Sequence, residues 1–126
     1  MTFKEFFRSR FVSFGHAFRG WWYVLRTQHN AWIHALITVA VVLLGWWLRL
    51  PARDWAILVL TILIVWMAEF MNTALEAVVD MATPNPHPLA KVVKDVAAAT
   101  VLVGAVGAVL IGLLLLGPPL WQRLLG

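Results

Sequence analysis

Three apolar runs decide what this chain can fold into. Ala31 to Leu48 is an 18-residue run with a single ionisable group, His34. A second run starts at Trp55 and stays apolar to Ala68, and a third, Val96 to Gly117, extends for 22 residues without a charge. A helix rises about 1.5 Å per residue, so about 20 apolar residues cross the ~30 Å hydrocarbon core of a bilayer. A chain of 126 residues that is 62% hydrophobic and 13% charged cannot hide such runs in a soluble core, since small domains bury the smallest share of their surface. The sequence predicts an all-α integral membrane protein with three spans.

The breaks between the runs are as informative. Pro51 turns Leu50 to Asp54 into a very short connection between the first two spans. Pro84, Pro86 and Pro88 make Met81 to Pro88 a non-helical loop, after which Leu89 to Asp95 resumes with Lys91, Lys94 and Asp95 on one side. Pro118 and Pro119 are expected to end the third span, which carries Thr100, Gly104, Ala108 and Gly112 as a small-residue stripe for close helix contact. Trp46 and Trp47 close the first span as in an aromatic belt.

Ahead of the spans, Phe3, Phe6, Phe7, Phe11, Phe14, Phe18, Trp21 and Leu25 recur at intervals of three or four, with basic residues on much of the other side. This predicts an N-terminal amphipathic helix lying in the membrane interface, with Gly15 and Gly20 as points where it divides. Residues 1–30 then form a surface-helix region and 31–126 the three-span part of a single domain. Lys4, Arg8, Arg10, Arg19 and Arg26 face only Glu5 there, so the net charge of +4 points to an anionic membrane surface and not to nucleic acid. The first run is too interrupted by charge to read as a cleavable signal peptide. No cysteine is present, which removes disulfides and thiolate metal sites. With the N-terminus and the 81–95 loop in the cytoplasm, seven Lys and Arg lie inside and three outside, so the C-terminus is expected to be external.

Chemistry concentrates where the second span meets its loop. Glu69, Asn72, Glu76 and Asp80 are spaced by three, four and four residues, which puts them on one face of a helix. Ionisable groups inside a span mark functional sites by default. Glu76, near water, can stay ionised and hold a hard cation such as Mg²⁺, and the deeper Glu69 can take a proton from a substrate hydroxyl. Lys94 offers a point charge for phosphate. Together these groups suit phosphoryl transfer at a membrane boundary, although no Gly-rich phosphate loop is present. A row of acids that three spans cannot surround also predicts oligomerisation. A small ion-coupled transporter, with Glu69 carrying the ion, is a reading of a different class; the Lys94-Asp95 pair and the absence of an inverted repeat count against it. A structural oligomer with a dead site is a third.

Glu69-Phe70-Met71-Asn72-Thr73-Ala74-Leu75-Glu76-Ala77-Val78-Val79-Asp80, followed by His87, Leu89-Ala90-Lys91 and Lys94-Asp95-Val96-Ala97-Ala98, closely resembles the signature of the small prokaryotic diacylglycerol kinase and undecaprenol kinase family. Ser13-Phe14, Ala17, Gly20, Asn30 and His34 extend the resemblance over nearly the whole chain. It implies a homotrimer of three-span subunits in the bacterial inner or plasma membrane, with composite sites between neighbours, using ATP and Mg²⁺ on a lipid alcohol. By position it implies Glu69 as general base on the lipid hydroxyl, Glu76 as metal ligand and nucleotide contact, and Asn72 and Asp80 as site-organising groups. Lys94, Asp95, Asn85, Pro86, His87 and His16 would face the nucleotide, and Ala98 the lipid. Where the family usually has a second metal-holding glutamate stands Gln28, which leaves metal affinity and number open. His34 is given no chemistry. Asn30 and His34 resemble the undecaprenol branch, which favours undecaprenol over diacylglycerol as acceptor.

Overall fold

The computed structural model describes all 126 residues, as four helices: α1 (Phe3–Thr27), α2 (His29–Trp47), α3 (Ala52–Ala82) and α4 (Pro88–Leu125). α2, α3 and α4 are each long and apolar enough to cross a membrane. α3 and α4 form a long hairpin with the most extensive helix contact; α2 packs mainly on α3, and α1 reaches α2 and α3. At about 1.5 Å per residue, α3 is ~46 Å long and α4 ~57 Å, so both outrun the hydrocarbon core.

α3 is the central element. It supplies Leu58, Thr61, Trp66, Glu69, Asn72, Thr73 and Val79 to the interior, whereas α4 buries only Ala97, Val101 and Leu116. Most of α4 and much of α2 therefore present Leu, Val and Ile outward, the surface a bilayer or a neighbouring subunit covers.

Several expected boundaries move. α1 does not divide at Gly15 or Gly20: a Cβ at either would meet nothing, so both sit exposed in an unbroken 25-residue helix. Each weakens it by about 1 kcal/mol relative to alanine, too little to break a helix capped by a reciprocal Thr2–Glu5 box and tied by Phe3 on Phe7 at 4.7 Å. The Thr2 backbone N–H and then its hydroxyl hold the Glu5 carboxyl below its ordinary pKa. α1 and α2 are separated by Gln28 alone, in extended conformation. At the other end, α4 continues through Pro118 and Pro119 to Leu125. Two prolines remove two N–H donors but keep helical φ, so the helix loses two bonds without losing its path.

The α2–α3 connection is shorter than expected, with Arg53 and Asp54 already in the first turn of α3. α2 ends in a Schellman motif: the N–H of Leu50 donates to Gly45 C=O at 3.1 Å, and that of Arg49 to Trp46 C=O at 3.1 Å. Arg49 takes the left-handed conformation at φ 56°. Gly45 lets the motif close, because a Cβ there would stand 3.0 Å from Leu50 Cδ1 and 3.1 Å from Trp55 Cη2. Gly45→Ala is expected to destabilise the subunit by about 1–3 kcal/mol through overpacking, read as a lower melting temperature in micelles. Of the two glycines in the small-residue stripe, Gly104 meets α3, its Cβ position lying 3.9 Å from Ala68 Cβ, and nothing approaches Gly112.

The acid row is not left open to lipid in the way the oligomer argument assumed. Glu69 has no exposed surface within one subunit. His34 of α2 stands beside it, and Trp21 of α1 and Ala31 of α2 pack on Trp66 one turn before it, so burial of Glu69 by itself requires no neighbour.

Candidate active site

The period of α3 sets the site. Glu69, Asn72, Glu76 and Asp80 share its face, and the turn-by-turn rise carries them outward: Glu69 and Asn72 are buried, Glu76 half-buried, Asp80 exposed. Around Glu69, Trp66 and Phe70 stack with Trp21 of α1 at ring separations of 5.3 to 5.8 Å, and Trp66 Nε1 donates to Thr38 Oγ1 at 3.1 Å. Glu69 itself is fully buried. Neither Glu69 oxygen has a hydrogen-bond partner. His34 Nε2 stands 3.4 Å from Oε2, longer than the roughly 2.7–3.2 Å of a well-formed N–H···O bond.

Two helical turns on, Glu76 is held at both oxygens. Asn72 Nδ2 donates to Oε1 and Gln28 Nε2 to Oε2, each at 3.2 Å. Gln28 spends its side chain on this contact and gives α2 no side-chain cap, while its backbone N–H donates to Val24 C=O at the end of α1. These groups edge a cavity of about 370 Å³ between α2, α3 and α4. Its polar side is Gln28, Asn30, His34, Asn72 and Glu76; its apolar side includes Ala98, Val101 and Leu102. A polar end and an apolar wall inside a span suit an amphiphile with one hydroxyl.

A second cavity, about 670 Å³, lies under the proline loop. Asn85, Pro86 and His87 line it together with Asp80 and Lys94. Lys94 Nζ contacts Asp80 Oδ1 at 2.5 Å, which holds the ammonium at the cavity. His87 caps α4, its Nδ1 accepting from the N–H of Leu89 at 3.1 Å, with Pro88 in the first turn where no N–H is missed. Two expected nucleotide residues are not brought here within one subunit. Asp95 pairs with Lys91 at 2.5 Å and does not border the cavity, although Lys91 does. His16 lies exposed on α1 with Arg19 Nη2 2.8 Å from its Nδ1.

The donor set bears on Mg²⁺. No cluster of three His, Cys, Asp or Glu exists for a metal. Glu76 nevertheless suits an ion that keeps waters and substrate phosphates and takes one or two carboxylates. Asn72 Oδ1, enclosed without a partner beside it, is a spare oxygen donor. Gln28 offers Glu76 its N–H₂ side, so the amide must rotate before its oxygen can ligate. Gln28→Glu is expected to lower the Mg²⁺ concentration for half-maximal turnover about tenfold, the effect of ~1.4 kcal/mol. A Mg²⁺ titration checks it; an unchanged requirement would remove position 28 from the metal's surroundings.

Comparison with known proteins bears on the whole arrangement. The family model of prokaryotic diacylglycerol kinase matches residues 15–116, which takes in the α3 acid row, the proline loop and both cavities. The chain belongs to the prokaryotic diacylglycerol kinase family. It is 44% identical over 110 residues to an undecaprenol kinase of Bacillus subtilis, covering 87% of this chain and 89% of that one. A diacylglycerol kinase of Synechocystis sp. is 46% identical over 110 residues, covering 86% and 63%. A diacylglycerol kinase of Escherichia coli is 30% identical over 93 residues, covering 68% and 76%. The chain is a lipid kinase of this family, whose chemistry implies ATP as phosphoryl donor, and its three long apolar helices fit a membrane protein. Membership removes the transporter as a rival.

His34 is the residue that reasoning from spacing passed over. No motif joins it to Glu69, because the two are on different helices. One signal was present: it is the lone ionisable side chain in an 18-residue apolar run, and such groups are functional more often than not.

Proposed function

We propose that this kinase transfers the γ-phosphoryl group of ATP to the terminal hydroxyl of undecaprenol. The observation that carries the reading is the α2–α3–α4 cavity, where an apolar wall meets Glu76, Asn72 and His34 at the level at which a lipid hydroxyl would lie. The long, nearly end-to-end likeness to an undecaprenol kinase supports the acceptor. Diacylglycerol is the second reading, favoured by the equally close Synechocystis relative.

In this reading Glu69 provides the basic charge that draws off the hydroxyl proton, and Asn72 orients Glu76. Lys94 and Asp80, with Asn85, Pro86 and His87, receive the nucleotide. Mg²⁺, when bound at Glu76, would neutralise phosphate charge. Asp95 and His16 act in a site completed by a neighbouring subunit. α1 lies on the cytoplasmic surface of the bilayer and the C-terminus is external. A homotrimer is the expected assembly, since Asp95 and His16 lie away from both cavities within one subunit; native mass spectrometry of the micellar enzyme should give three chains, and an active monomer would remove the claim.

Turnover of undecaprenol and diacylglycerol compared side by side in mixed micelles with labelled ATP tests the acceptor. A higher kcat/KM for undecaprenol is expected. Faster diacylglycerol turnover would exchange the two readings, and ATP consumption without labelled lipid would overturn both.

A further inference from the structure

The cavity under the proline loop is bordered by two lysines, and the proposed function uses one of them. Lys91 and Lys94 both line it, with Asp80 as its one carboxylate. They stand three residues apart near the start of α4, so their side chains leave the helix as neighbours on one face. Each is held by a different acid. Lys94 Nζ lies 2.5 Å from Asp80 Oδ1, inside the cavity's lining, and Lys91 Nζ lies 2.5 Å from Asp95 Oδ2, outside it. The second pair is loosely kept: its side chains are 77% and 63% exposed, and an ion pair in water adds little to stability. The cavity, about 670 Å³, is within the size range of small-molecule and cofactor sites.

We propose that Lys91 is a second phosphate-holding residue for the nucleotide, and that it turns from Asp95 to the phosphate chain when Mg-ATP enters. The proposal rests on the reading that the nucleotide lies under the proline loop beside Lys94, and it adds a residue to that site. ATP keeps a net negative charge after binding one Mg²⁺, and a single lysine already engaged by Asp80 offsets little of it. Lys91 is the cation on the cavity whose counter-charge lies elsewhere. A lysine is a point charge with three donors on a flexible stem, so it can swing without moving the helix. Its hydrogen bonds to phosphate oxygens are charge-assisted and made against a cavity wall, where water screens them less than it screens the exposed Asp95 contact. The exchange trades a weak contact for a stronger one. Two ammonium groups one helical turn apart suit successive phosphates of one chain, and the departure of Lys91 leaves the Asp95 carboxylate without its partner at the rim.

The test uses the full chain in mixed micelles with undecaprenol or diacylglycerol, whichever the wild type turns over. Lys91→Gln is expected to raise KM for Mg-ATP about ten- to a hundredfold, the loss of one hydrogen bond to a charged group, with kcat little changed, as for an interaction made equally in ground and transition states. Lys91→Arg keeps the charge and should bind Mg-ATP nearly as the wild type does. Direct titration with ATP, ADP and AMP supplies a readout that a structural role would not move: the affinity lost in Lys91→Gln should grow with the length of the phosphate chain. An unchanged ATP affinity in Lys91→Gln overturns the proposal. So does a loss shared equally by AMP, which marks a distorted cavity, or a Lys91→Arg no better than Lys91→Gln. Lys94→Gln separates this inference from the reading beneath it. If Lys94→Gln weakens ATP binding and Lys91→Gln does not, this inference alone falls; if neither does, the placement of the nucleotide under the proline loop falls with it. A wild type that labels no lipid overturns the kinase reading itself.

Discussion

Glu69→Gln is expected to lower turnover by about 10²–10⁴-fold while Mg-ATP affinity stays near that of the wild type. The substitution keeps side-chain volume inside the Trp21, Trp66 and Phe70 wall but removes the charge that faces His34 Nε2 at 3.4 Å. Stability should hold or rise. Neither oxygen of Glu69 has a hydrogen-bond partner, and an enclosed charge without full compensation is destabilising, so a neutral amide relieves more than it disturbs. A group that weakens the fold while enabling the reaction is what a functional site predicts. A structural seam predicts the reverse, a less stable protein with activity falling in step. Kinetics, nucleotide titration and a thermal melt on one preparation distinguish the two. Near-normal turnover would end the assignment of Glu69 to the reaction.

Glu76→Gln is expected to act on the other substrate. Glu76 is half-buried, reaches the cavity and accepts from both Asn72 and Gln28. Replacing its carboxylate leaves three amides and no anion at the position proposed for Mg²⁺. The Mg²⁺ concentration for half-maximal rate should rise at least about tenfold, the equivalent of ~1.4 kcal/mol, and Mg-ATP affinity and turnover should fall together. The contrast carries the argument: Glu69→Gln spares nucleotide binding and Glu76→Gln does not. Equal binding losses in the two variants would mean that the acid row is a single structural feature.

The acid row shows how far local pattern reaches. Spacings of three and four placed Glu69, Asn72, Glu76 and Asp80 on one face, and the helix carries them there. Pattern alone gave them depth along the span but not company. The expectation that Glu69 needs a second subunit to leave lipid counted spans and could not see it fully buried beside His34, with Trp21 packed on the neighbouring Trp66 and Phe70. Gln28 was legible as the missing carboxylate of a metal pair; that it donates through its amide nitrogen to Glu76, 48 residues away, was not. The prolines at 118 and 119 misled for a related reason. Proline weakens a helix locally, and whether the helix stops depends on what satisfies the freed carbonyls.

The sequence by itself determined the three spans, the surface-helix pattern, the proline loop and the order of the acids. Those features depend on residue type, run length and helical period, which act over one to five turns. Tertiary structure alone decided that Lys94 pairs with Asp80 while Asp95 turns to Lys91, and that His34 comes to rest between Glu69 and a cavity. Such meetings are set by how α2, α3 and α4 rotate against one another. That rotation follows from packing summed over every side chain at the interfaces, for which no short stretch of sequence carries the sign.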